Sequence, residues 1–155
     1  MAKPDIEDLL QRIARVHARQ QVQYTVNRCT RALDYAAPAD FADCFTPDGR
    51  YEGVVPDGSL QRASGTAELY RFAAEFKWPA GTMRHWLTGT DIELGAGTAT
   101  VTSLKGAIAV GPDGPHLRMV GRNSETLAES GDGRWRFASR LSEIIARRTP
   151  PAAPK

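Results

Sequence analysis

The chain is short of cysteine, of charge of one sign and of long apolar runs, and each shortage removes a class of function. Its two cysteines, Cys29 and Cys44, have no CxxC spacing and fall in segments that read as helical, which argues against a zinc knuckle or a redox motif. Both are expected as reduced thiols. Basic and acidic residues number 20 and 18, a net charge of +2, and the basic ones are scattered except for Arg147-Arg148, so no nucleic-acid partner is expected. No apolar stretch approaches the length that crosses a bilayer, so no membrane partner is expected either. The first residues, Met1-Ala-Lys-Pro-Asp-Ile-Glu-Asp, carry acids where an export leader needs basic and then apolar residues, which makes cytoplasmic the expected location. Gly95-Ala-Gly97 lacks the third glycine and the following helix of a dinucleotide loop. The three histidines, His17, His85 and His116, stand apart, and with no second ligand near His85 neither a metal nor another cofactor is expected.

What is present is an ordinary soluble composition, 41% apolar and 25% charged, in a chain of 155 residues, long enough for one core and one small-ligand cavity. A single domain is expected over 1–148, followed by a proline-rich, disordered tail over 149–155. Ile6, Leu9, Leu10, Ile13 and Val16 recur at three- and four-residue steps, and Val22, Val26, Cys29 and Leu33 continue a comparable face, so the first 36 residues read as helix with Asp5 as N-cap. Pro38 opens a short second helix through Phe45, and Thr46-Pro47-Asp48-Gly49 is expected to stop it with turn chemistry. A strand from Arg50 to Val55, a Pro56-Asp57-Gly58 turn and a strand from Leu60 to Ala63 follow. Ser64 is expected to cap a third helix carrying Leu69, Phe72, Ala73 and Phe76, ended by Trp78-Pro79.

Four long strands then read as Met83–Leu94, Thr98–Val110, His116–Glu129 and Arg134–Ala146. The turns between them are Gly95-Ala-Gly97, Gly111-Pro-Asp-Gly-Pro115 and Ser130-Gly-Asp-Gly133. Short connections require antiparallel neighbours, so the expected class is α+β: three helices of the N-terminal half packed on a curved, mainly antiparallel sheet of about six strands. A long twisted sheet curls, and a curled sheet closed by helices leaves a conical cavity.

Five segments in this order resemble the NTF2-like superfamily, and within it the SnoaL-like branch of dehydratase-type proteins. They are Leu33-Asp34, Asp40-Phe41-Ala-Asp43-Cys-Phe45-Thr-Pro-Asp-Gly49, the helix at Gly65, Arg84-His85-Trp86, and Asp132-Gly-Arg-Trp135-Arg-Phe137. The resemblance spans roughly residues 6–146 and implies a cone with a pocket between sheet and helices. In the dehydratase-like members an Asp closing the long helix pairs with a His on the first long strand, which here implies Asp34 and His85. Cys29 stands where such proteins often carry a Tyr or Lys reaching the pocket, and the second His of scytalone dehydratase is absent.

A neutral imidazole accepts a proton near pH 7, and a carboxylate bound to its other nitrogen fixes the tautomer and stabilises the imidazolium. His85 would be the base and Asp34 its partner, which opens elimination, isomerisation and hydration. A developing oxyanion needs a donor. Tyr51 and Arg136 are the candidates, Arg136 because an Arg after the strand Trp resembles the dehydrochlorinase pattern. By period two, Arg134, Arg136 and Arg140 share one face, expected in water, and Trp135, Phe137 and Leu141 the other. Cys29, Met83 and Trp86 complete the expected substrate contacts. The reading is a cofactor-independent lyase or isomerase of dehydratase type acting on a small apolar, aromatic or polycyclic molecule. Its alternatives are a non-catalytic binding or subunit-type domain and a hydrolase or cyclase using the same pair. A homodimer or higher homo-oligomer is expected through the convex face of the sheet.

Overall fold

The computed structural model describes residues 5–54, 58–76, 82–111 and 114–147. Helix α1 runs unbroken from Ile6 to Asp34, and its N-cap Asp5 accepts a hydrogen bond from the Glu7 N–H at 3.2 Å. Only its second half is covered, by way of Val22, Thr25, Val26, Cys29 and Ala32. The apolar stripe of the first four turns stays exposed, Ile6 at 74% and Ile13 at 63%. Periodicity marks an apolar face without saying what covers it, and among the described residues nothing does.

Asp34 is the last helical residue because of a Schellman turn. The Ala37 N–H donates to the Ala32 carbonyl at 2.8 Å and the Ala36 N–H to the Leu33 carbonyl at 3.3 Å. That turn places Ala36 at φ 52°, a left-handed conformation usually left to glycine. Helix α2 spans Pro38–Asp43, with proline in the first turn as expected.

Strand β1, Phe45–Val54, begins earlier than its sequence indicated. Thr46-Pro47-Asp48-Gly49 does not terminate a helix but forms an irregularity inside this strand. Phe45 pairs with Phe137 and Arg50 with Ser139, so residues 46–49 lie opposite the single Ala138. The bulge needs a glycine, since a Cβ at Gly49 would sit 2.7 Å from the Phe137 carbonyl oxygen.

Strand β2, Leu60–Ser64, leads directly into helix α3, Gly65–Glu75. Ser64 occupies the N-cap position without a side-chain cap bond. Its own N–H is instead held by the Glu68 carboxylate at 2.9 Å. The expected turn residues 56–57 and 112–113, the Trp78-Pro79 helix stop and the 149–155 tail lie outside the described residues.

Strands β3, Thr82–Leu94, β4, Thr98–Gly111, β5, Gly114–Glu129, and β6, Trp135–Arg147, complete a six-stranded sheet ordered β2-β1-β6-β5-β4-β3. Every neighbouring pair is antiparallel except β1 with β6, which is parallel, so the sheet is mixed. The helices cover one face. Phe41, Phe45, Tyr51 and Phe72 pack there in tilted or edge contacts with ring centroids 4.7–5.7 Å apart. Registers shift within the β3–β4, β4–β5 and β5–β6 ladders, and such bulges bend and twist strands, curling the sheet around the helices.

Candidate active site

The end of α1 meets β3 side on. Arg84 ties the two together, donating from Nη1 to the Asp34 carbonyl at 3.1 Å and lying 4.5 Å over the Tyr35 ring. With the backbones fixed, the Asp34 carboxylate holds His85 at two points. Oδ2 accepts from the His85 backbone N–H at 2.8 Å, and Oδ1 lies 2.6 Å from the ring Nδ1. The His85 and Asp34 side chains are 8% and 3% exposed respectively. A carboxylate can only accept, so Nδ1 carries the ring proton and the acceptor lone pair of the imidazole resides on Nε2.

His85 lines a cavity of about 710 Å³, open mouth included, between the concave face of the sheet and helices α1 and α3. Two other expected contacts, Tyr51 and Met83, line it as well. Three do not. Trp86 follows His85 by one residue and so faces outward, its indole lying over Gly106 in the space a Cβ would occupy, 41% exposed. Arg136 is turned away and held by Asp132 through two bonds of 2.8 Å, with Asp43 3.7 Å away. The paired guanidinium keeps the Asp132 carboxyl well below its usual range. Cys29 is fully buried beside Cys44 and Arg140 and contributes no cavity surface.

The polar end of the cavity was not expected from the sequence. Lys105, Asn123, Arg140 and Ser142 line it, and Glu125 lies buried beside them. Arg140 was placed in water by period two. A bulge at Ala138 reverses the parity, because Leu127 pairs with Phe137 and Thr126 with Ser139, so Phe137 and Arg140 both point inward. The Arg140 Nη2 donates to Thr30 Oγ1 at 3.0 Å, and its Nε lies 3.1 Å from Glu125 Oε1. The Lys105 ammonium bonds the Ser142 hydroxyl. Burial, then repulsion from Arg140, pushes the Lys105 pKa down to about 8 against the pull of Glu125. Burial raises the Glu125 carboxyl, opposed by Arg140 and Lys105, and burial likewise raises the Tyr51 phenol.

Among the described residues no three His, Cys, Asp or Glu side chains gather as a metal-ligand set, and no helix is long and apolar enough to cross a membrane. Several solved structures are similar. An NTF2-like protein with a cystatin-like fold from Novosphingobium aromaticivorans is 17% identical, covering 97% of this chain and 95% of its own at a TM-score of 0.80, a likeness of fold. ActVI-ORFA from Streptomyces coelicolor is 23% identical, covering 82% of this chain and 96% of its own at 0.69. A Catenulispora acidiphila protein solved in complex with S-DNPA is 26% identical, covering 83% and 94% at 0.70. No curated protein matches the chain by sequence. The profile of the SnoaL-like domain family matches residues 14–141.

Proposed function

The chain belongs to the SnoaL-like domain family, and on that footing we propose that it is a cofactor-independent acid–base enzyme of dehydratase or isomerase type. His85 is the general base and Asp34 orients it. The observation that carries this reading is the pair of bonds from one buried carboxylate to the backbone and ring of a histidine that lines the cavity. A carboxylate so placed sets the tautomer and favours the imidazolium formed when Nε2 takes a proton from carbon. Proton removal of this kind needs no metal.

The ligand is a small molecule with an apolar body, aromatic or polycyclic, since Leu33, Phe76, Leu87, Met83, Met119 and Ile144 give the cavity an apolar side. The complex of the C. acidiphila protein with S-DNPA supports small-molecule binding in this fold. We read the protein as a homodimer. Exposed Trp86, Leu104, Ile108 and Leu117 on the outer face of β3–β5 offer apolar area to a second copy. Light scattering giving only a monomer would reject that part.

The test of the activity begins with native mass spectrometry after exposure to a cell extract, to identify a retained compound. Turnover of that compound is then compared between the parent and His85→Ala. General-base removal should lower the rate by at least about 100-fold. A retained compound that neither protein turns over would favour a binding domain, and label from heavy-oxygen water in the product would favour hydrolysis.

A further inference from the structure

The polar end of the cavity has no part in the Asp34–His85 pair, yet it is built. Lys105 and Arg140 are 7% and 6% exposed, and two of their neighbours in the ladders, Asn123 and Glu125, are 1% and 4%. Lys105 reaches across β5 only because residue 121 is glycine: a Cβ there would lie 2.5 Å from Lys105 Cε and 2.3 Å from the Glu143 carbonyl oxygen. The ammonium is thereby laid beside Ser142 and toward Arg140. Arg140 Nη1, Asn123 Oδ1 and both Glu125 carboxylate oxygens are buried without a hydrogen-bond partner among the described residues.

The charges do not balance. A guanidinium and an ammonium meet one carboxylate, Glu125, whose charge burial opposes, and Arg140 also faces the buried Cys29 thiol. Buried cations are retained where an anion meets them, because an unpaired charge in a dry site is costly. In β4, Lys105 is one inward-facing position along from Ala107, the residue that pairs with His85. A ligand spanning that step would meet the imidazole at one point and the two cations at another.

We propose that this end of the cavity is a subsite for an anionic oxygen of the ligand, a carboxylate or an ionised phenol or enol, received by the Lys105 ammonium and the Arg140 guanidinium. It rests on the acid–base reading only in using the same cavity. The ligand class is thereby narrowed from an apolar molecule to an amphiphilic one, an acidic oxygen on an aromatic or alicyclic body. An enol oxygen held there would also be stabilised as its anion when His85 removes the neighbouring proton.

The experiment compares the binding of 2-naphthoate, 2-naphthol and 2-naphthamide to the full chain by calorimetry and absorbance. At least one acidic compound should bind about tenfold or more tightly than the amide, the difference a charge-assisted bond makes. Preference for naphthoate identifies a carboxylate subsite. Preference for naphthol, with naphtholate absorption on binding, identifies a phenol or enol subsite. Lys105→Met should erase the preference while leaving amide binding within about threefold. His85→Ala should retain it, so loss of turnover and loss of anion preference are separable. Amide binding equal to both acids in the unaltered protein, a comparison that needs no variant to fold, overturns the proposal. So does an undiminished preference in folded Lys105→Met.

Discussion

Replacing Asp34 by Asn separates the chemistry of the pair from its structural role. Both carboxylate oxygens are occupied, one by the His85 backbone N–H at 2.8 Å and one by Nδ1 at 2.6 Å. An asparagine offers one acceptor and one donor. The backbone N–H can only donate, so the amide oxygen must take that bond and the amide NH2 must face Nδ1. Nδ1 then becomes an acceptor and the ring proton moves to Nε2. Two hydrogen bonds survive, each now neutral and weaker by about 1 kcal/mol, so the fold should stay within about 2 kcal/mol of the parent. The base, however, has lost its lone pair on the cavity side. A fall in rate of at least about 100-fold should follow, or roughly 2.7 kcal/mol of transition-state stabilisation. Asp34→Ala instead strands both donors, at about 1–3 kcal/mol each, and should destabilise the chain by about 2–6 kcal/mol. Urea titrations read the stability and nitrogen–proton correlation spectra read the tautomer. An Asp34→Asn protein at full rate, or one whose ring proton remains on Nδ1, refutes the reasoning.

Ala36→Gly should stabilise the chain by about 1 kcal/mol in urea titrations, because φ 52° strains an alanine and suits a glycine. A destabilised variant would show that the turn is not strained. Gly121→Ala should cost about 1–3 kcal/mol, since its Cβ would meet both the Glu143 carbonyl and the Lys105 side chain. Unchanged stability would deny the close approach. With its folded pKa near 8 and an unfolded value near 10.5, Lys105 binds fewer protons in the folded state, so its penalty is full below pH 8 and relieved as pH rises. Stability should therefore rise by an amount on the order of 3 kcal/mol across that window, and Lys105→Met should flatten the rise. Denaturation midpoints against pH read it. Arg136→Ala should leave turnover unchanged, since Asp132 and Asp43 hold the guanidinium outside the cavity. A large loss of rate would return Arg136 to the site.

Much of the architecture is legible in local pattern. The glycine-bearing turns mark the strands of the second half, and Pro38 and Asp5 mark helix starts. Pattern fails where a bulge intervenes. Alternation along β6 sends Arg140 to solvent, and only the extra residue at Ala138 brings it inside with Phe137. Thr46–Gly49 has the composition of a turn and is a bulge, because parallel pairing with β6 comes from far along the chain. Lys105 is concealed for another reason. Its outward neighbours Leu104 and Ile108 are apolar and 49% and 40% exposed, so alternation on β4 does not tell which face is inside. Asp34 and His85 are each ordinary in sequence, and resemblance to a family, not spacing, is what joined them. The same resemblance put Arg136 and Cys29 at the cavity, where Arg140 stands instead, beside the expected Tyr51.

The base itself can be tested without knowing the natural substrate. Incorporation of deuterium beside the carbonyl of 2-tetralone in heavy water reports proton removal from carbon by a group in the cavity. The unaltered protein should accelerate the exchange, and His85→Ala should lose at least about 100-fold of that acceleration while still binding the ketone. Equal exchange rates from the two proteins would contradict the assignment of His85 as the base.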